Sequence, residues 1–110
     1  MLYGHIVSAE DPAALCERLK AAGLPAACRK SVHYSGGRYV NVETDRARLT
    51  LERVTPKEYL VGGDADSLED FHDAGKALSE ELTRLAVRHR LEIYDGDRLV
   101  AYFDHEWSAG

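Results

Sequence analysis

The 110-residue chain reads as a single α+β domain, residues 1–110, built as a two-layer sandwich with a mostly antiparallel sheet and two helices on one face. Two stretches carry apolar residues at helical spacing, one in the first quarter and one after residue 66. Elsewhere apolar and polar residues alternate, which is the period of a half-buried strand. Turn clusters, Ser35-Gly36-Gly37, Thr44-Asp45-Arg46 and Asp95-Gly96-Asp97, separate the alternating runs closely enough for hairpins. Together these predict the order β-α-β-β-β-(β)-α-β-β, with one sheet face open to solvent. The ferredoxin-like split β-α-β, extended by a strand or two, is the nearest common relative.

Leu2 to Ser8 predict the first strand. Asp11 then offers an N-cap and Pro12 the first helical position, and Leu15, Cys16, Leu19 and Ala22 form one face before Gly23 closes the helix. From Ala27 the period is two. Cys28, Val32 and Tyr34 alternate with Arg29, Ser31 and His33, and after the glycine turn Val40 and Val42 alternate with Tyr39, Asn41 and Glu43. Ala47, Leu49 and Leu51 alternate with Arg48, Thr50 and Glu52 in the next strand. Pro56 interrupts, Tyr59 to Val61 predict a short edge strand, and Gly62 to Asp66 read as a loop.

Asp66 and Glu69 have capping-box spacing for the second helix, where the carboxylates of Asp64, Asp66, Glu69 and Asp70 favour a helix N-terminus. Leu68, Phe71, Gly75, Leu78, Leu82 and Leu85 form its buried stripe, ending near Val87 to Arg88. A glycine inside that stripe predicts a helix backbone lying very close to the sheet. The closing hairpin, read with a three-residue loop, puts Leu91, Ile93, Leu99, Ala101 and Phe103 on the core face with His89 and His105 near its open end. A two-residue loop would slip this register by one. Trp107 is expected to fold back over the core.

Composition narrows the function classes. No apolar run is long enough to span a bilayer and the N-terminus lacks signal-peptide character, so a cytoplasmic protein without membrane contact is expected. Cys16 and Cys28 have no zinc-ligand spacing and read as two buried thiols. The net charge of −5 is uneven: residues 1–60 carry nine Lys/Arg against seven Asp/Glu, residues 61–110 five against twelve. An acidic second half repels nucleic acid and suits a basic protein partner.

Few residues carry chemistry. His89, Asp104, His105 and Glu106 gather near the end of the hairpin, where a histidine and a carboxylate could serve as an acid/base pair. Strand alternation separates His105 from its two acidic neighbours, so they are weak catalytic candidates. His5, His33 and His72 belong to no ligand motif, the serines lack a nucleophile elbow, and the Gly36-Gly37 and Gly62-Gly63 pairs do not extend into a phosphate-binding loop. No cofactor and no metal site is expected. The more informative feature is the open face, to which alternation sends Arg29, Tyr39, Asn41, Arg48, Thr50, Glu52, Arg90, Glu92, Tyr94, Val100 and Tyr102. Tyrosine and arginine dominate protein-binding hot spots, which makes Tyr39, Arg48, Arg90, Tyr94 and Tyr102 the candidate binding surface.

The expectation is a non-catalytic domain that binds another protein or itself as a homodimer, in a regulatory or immunity-type role; a small enzyme or ligand-binding domain using the His/carboxylate cluster is the alternative. In composition and class the chain resembles toxin-neutralising immunity proteins, a resemblance that implies acidic cover for a basic partner site.

Overall fold

The computed structural model describes residues 1–30 and 38–107. In chain order it contains β1 (Leu2–Val7), α1 (Pro12–Ala21), β2 (Ala26–Lys30), β3 (Arg38–Glu43), β4 (Ala47–Thr55), β5 (Glu58–Ala65), α2 (Leu68–Arg84), β6 (Arg88–Asp95) and β7 (Arg98–His105). The strands form one seven-stranded antiparallel sheet in the order β2-β3-β4-β5-β1-β6-β7. The predicted turn at Ser35-Gly36-Gly37, with Ser31 to Tyr34 before it, lies outside the described residues.

β1 is the keystone. It is apolar at Leu2 and Ile6, and those residues pair with Ile93 and His89 of β6, while Ile6 also faces Tyr59 of β5. Both are almost fully buried, as expected for a strand flanked on both sides and covered by helices. α2 carries the chain from β5 to β6 around β1, and α1 carries it from β1 out to the far edge at β2. Both helices pack on the same face, α1 against β2 and β3, α2 chiefly against β6 and β7. Between helices and sheet lies the core, in which Leu15, Leu19, Leu49, Leu51, Leu78 and Leu82 are inaccessible to solvent.

The Asp11 carboxylate caps α1 by accepting from the Ala14 amide at 2.8 Å, with Pro12 at the first helical position as its sequence predicts. Other readings are corrected. Gly62 to Ala65 belong to β5 rather than to a loop, because a Cβ at Gly63 would come within 2.1 Å of the Arg48 carbonyl oxygen. The glycine there lets two strands approach closely and does not break one. For the same reason Tyr59 to Val61 are no edge: β5 lies between β4 and β1, and Tyr59 is wholly buried with its hydroxyl donating to the Glu10 carbonyl at 2.5 Å. α2 is capped by Ser67, whose Oγ accepts from the Asp70 amide at 3.1 Å and donates to the Asp70 carboxylate at 3.0 Å. The cap therefore falls one residue after Asp66, and Leu68, in the first turn, is exposed. The helix ends at Arg84 because Ala86 takes a left-handed conformation, φ 58°, and the amides of Ala86 and Val87 turn back to the carbonyls of Thr83 and Leu82.

The β6–β7 hairpin keeps the predicted faces by an unpredicted route. Asp95 pairs with Arg98 across a two-residue turn, Gly96-Asp97, and the register then shifts between Ile93 and Tyr94. The resulting bulge at Val100 restores Ile93 opposite Ala101 and Leu91 opposite Phe103. Leu99 lies before the bulge, paired with Tyr94, and so leaves the core to stand exposed. Cys16 is buried, whereas Cys28 on β2 is only half-buried. Gly75 faces the sheet at ordinary distance: a Cβ there would meet Ile93 and Leu2 at 3.5 Å, so the expected very close approach is absent. No helix among the described residues is long and apolar enough to cross a membrane.

Candidate binding surface

Because both helices lie on one face, the other face of the sheet is left uncovered, and register fixes its neighbours. At one end Arg29, Tyr39 and Glu52 align across β2, β3 and β4, and Arg48 pairs with Glu43, its Nε 3.1 Å from the carboxylate. At the other end Arg90 stands opposite Asp104, Glu92 opposite Tyr102, and Tyr94 opposite Leu99. The five candidate surface residues thus share a face but form two groups. Tyr39 and Arg48 are separated from Arg90, Tyr94 and Tyr102 by β5 and β1, about 14 Å between β4 and β6 at ordinary strand spacing. Asn41, expected to be outward, is 96% buried in its row, with Nδ2 donating to Glu43 at 3.1 Å.

The β1–β6–β7 end is the more developed of the two. Tyr3 meets Tyr94 edge to face at 6.1 Å. The Tyr94 hydroxyl donates to the Glu92 carboxylate, which raises the phenol pKa by stabilising its protonated form. Trp107 also lies here, not over the core as its sequence position suggests. Glu106 adopts a left-handed conformation, φ 54°, just past the end of β7, and the chain turns so that the indole reaches the open face. There the guanidinium carbons of Arg88 and Arg90 sit 4.8 and 4.9 Å from its ring centroid, with the His5 ring at 5.3 Å. Two cations against one indole is an arrangement that holds long side chains still while leaving their donors available. His5 is held in turn by Glu58, Nε2 to Oε2 2.6 Å. On the same face Tyr3, Leu60, Leu99 and Tyr102 are each about half exposed, from 45 to 54%.

The weak catalytic candidates separate. His89 and His105 pair across β6 and β7 on the helix side, their rings stacked at 6.3 Å, while Asp104 pairs with Arg90 on the open side. His89 is fully buried. Its Nδ1 donates to the Val87 carbonyl at 2.8 Å, which fixes the neutral tautomer and leaves Nε2 to accept from the Ser79 hydroxyl at 2.7 Å. Burial pushes the imidazole pKa below its ordinary value, with His105 pushing the same way against the Val87 carbonyl and Asp104. Both ring nitrogens are therefore engaged, Nε2 joining β6 to α2 and Nδ1 holding the connection just before β6. Sequence reasoning missed Ser79 as the partner, although Ser79 sits four residues after Gly75 on the buried stripe, a position that obliges a polar side chain to find a bond. Among the described residues no three His, Cys, Asp or Glu side chains are grouped to hold a metal ion. Surface depressions of about 270, 340 and 280 Å³ include no histidine in their linings, although the last is lined in part by Ser79 and Phe103. No protein-family model matches the chain, and no curated protein or solved structure is similar to it.

Proposed function

We propose that this chain is a non-catalytic binding domain that engages another protein chain through the uncovered sheet face at its β1–β6–β7 end. The observation that carries the reading is the combination, on one uncovered face, of half-exposed Tyr3, Leu60, Leu99 and Tyr102 with the stack of Trp107 on Arg88 and Arg90. Trp, Tyr and Arg supply most of the energy of protein interfaces because each joins a large apolar contact area to a polar tip. Tyr39 and Arg48, three or four strands away, extend the same face and form its outer margin. The central order β6-β1-β5-β4, with α2 crossing from β5 to β6 around β1, supports a ferredoxin-like core enlarged by β2–β3 and β7. In such a core the face away from the helices is the natural platform for a ligand.

An enzyme built on His89, His105, Asp104 and Glu106 is the less favoured reading. His89 has no accessible nitrogen, and Asp104 projects from the other side of the strand.

The test is site-specific photo-crosslinking in the native cell. A photo-reactive phenylalanine analogue at position 102 is expected to yield a discrete protein adduct, whereas the same group at exposed Glu80 on α2 yields none. Equal labelling at both positions, or none at 102, overturns the proposal.

A further inference from the structure

We infer that the partner protein delivers an arginine side chain to a trough in the uncovered face, where its guanidinium donates to the unpaired amide oxygen of Asn41; the inference rests on the binding face proposed above and names the chemistry that face receives. Register defines the trough. Ala27, Asn41, Thr50 and Gly62 follow one another across β2, β3, β4 and β5, and the pairing of Gly4 with Val61 puts Tyr3 next in the same row. The first four are short, and no heavy atom lies within 4 Å of where a Cβ of Gly62 would be. The rows on either side carry longer side chains, Tyr39, Glu52 and Leu60 on one, Glu43, Arg48 and Asp64 on the other. The floor therefore runs about 14 Å over three strand spacings, between walls whose backbones are about 13 Å apart along β4. Half-exposed Tyr3, part of the binding face, closes its inner end.

Small residues make only a shape; Asn41 gives that shape a chemistry. Its Nδ2 donates to Glu43 Oε1 at 3.1 Å, the same oxygen that accepts from Arg48 Nε at 3.1 Å. The Asn41 amide, with Arg48 beside it, holds the Glu43 carboxyl below the usual carboxylate range. Glu43 is thus ionised and can only accept, so the amide cannot be turned round. Oδ1 diverges from Glu43, buried, and accepts from no group among the described residues. A buried acceptor without a donor is costly. The Glu43–Arg48 pair joined to this amide is about half exposed, and such pairs rearrange at little cost.

The walls decide what the donor must be. Where Thr50 and Gly62 form the floor, Asp64 stands on one wall and Glu52 on the other, and neither is in an ion pair among the described residues. Arg48, between Asp64 and Glu43, is bonded to Glu43, and Arg29 stands at the outer end of the opposite wall. A cation is therefore favoured. A flat guanidinium has N–H groups on several edges, so it can reach the Asn41 oxygen and a wall carboxylate together while lying against Tyr39; the point charge of an ammonium does not match this. A basic side chain also complements a chain whose net charge is −5.

The experiment is a nitrogen–proton correlation NMR titration of the whole chain with N-acetyl-arginine-N-methylamide, its lysine counterpart and free arginine. The blocked arginine is expected to shift the Asn41 side-chain amide and the Thr50 and Gly62 backbone amides saturably, and the lysine compound to bind about tenfold more weakly or not at all. Asn41→Leu keeps the volume, removes the acceptor and is expected to abolish the saturable shift at Thr50 and Gly62. Gly62→Ala raises the floor and is expected to weaken binding about tenfold. Thermal melting shows which variants are folded, and Gly62→Ala serves alone if Asn41→Leu is not. No saturable response, an equal response to the lysine compound, or undiminished binding by a folded variant overturns the inference. Free arginine that binds about tenfold more tightly than the blocked form overturns a protein side chain as the occupant. The two proposals fail separately. A discrete adduct at position 102 with no arginine response overturns the trough and leaves the binding face standing, whereas an arginine response with no adduct at 102 removes the partner protein and with it this occupant.

Discussion

Ser79 of α2 and His89 of β6 are joined by a buried hydrogen bond of 2.7 Å, and the Val87 carbonyl holds the far side of the ring. This is a polar clasp inside an otherwise apolar layer, so its removal leaves a partner unpaired. Ser79→Ala is expected to lower stability by about 1–3 kcal/mol, measured by urea unfolding. The clasp also carries a pH signature. Because the folded pKa is depressed below the ordinary 6.5, the unfolded chain takes up a proton that folded His89 refuses. The contribution is complete above the unfolded pKa and is lost as the pH falls from there toward the folded value. His89→Gln should therefore cost more at pH 8 than at pH 5; an equal cost at both would show that burial does not control this imidazole.

Gly75 is the opposite kind of position. A methyl group there meets Ile93, Leu2 and Phe103 at 3.5–3.6 Å, which is contact without overlap. Gly75→Ala removes backbone entropy from the unfolded chain and should stabilise by about 1 kcal/mol. A loss of stability in denaturant titration would mean that α2 lies closer to β6 than described.

The paired glycines of β5 should respond differently from one another. Gly63→Ala drives a methyl into the backbone carbonyl of Arg48 at 2.1 Å, where no flexible side chain can give way, and should cost more than about 2 kcal/mol. Gly62 has open space around its missing Cβ, so Gly62→Ala should stay within about 0.5 kcal/mol of wild type. Similar melting temperatures for the two variants would refute the strand assignment of this segment.

Tyr59 is the buried tyrosine of the core, and burial pushes its phenol up to about 12. Ultraviolet titration should show one tyrosine ionising near that value, and Tyr59→Phe should abolish the step. A raised pKa stabilises the fold fully below the unfolded value near 10, and that contribution is lost as the pH climbs through the folded value. At neutral pH the same substitution removes the bond to the Glu10 carbonyl, for about 1 kcal/mol.

Much of this architecture is legible in the residues. Pro12 and Asp11 announce α1, the Phe71-to-Leu82 spacing announces α2, and the alternation of Leu91 with Ile93 announces β6, because each signal is local. The failures have two causes: a deciding contact that comes from far along the chain, and a local backbone irregularity that periodicity does not register. Gly63 looks like a loop residue until Arg48 of β4 is laid beside it. Leu99 looks like core until a bulge, invisible to a period of two, exchanges its face. On the candidate surface, alternation correctly collects Tyr94, Tyr102 and Arg90 on one side but is silent on lateral order. It therefore merges them with Tyr39 and Arg48, and it misses Trp107, whose placement depends on the backbone of Glu106.

The position of β1 has a kinetic consequence. It precedes the other six described strands in sequence, yet both its neighbours, β5 and β6, come from the second half of the 110 residues. β3–β4–β5 can zip locally as a meander, but their apolar side gains a permanent flank only when β1 is inserted, and β1 gains its second flank only when residues 88–93 have emerged. Folding on the ribosome must therefore wait for the closing hairpin, with the greasy Leu2–Val7 segment unsatisfied in the interval. Slow translation across α2 would lengthen that interval and give chaperones, or a neighbouring nascent copy, time to reach an open strand edge.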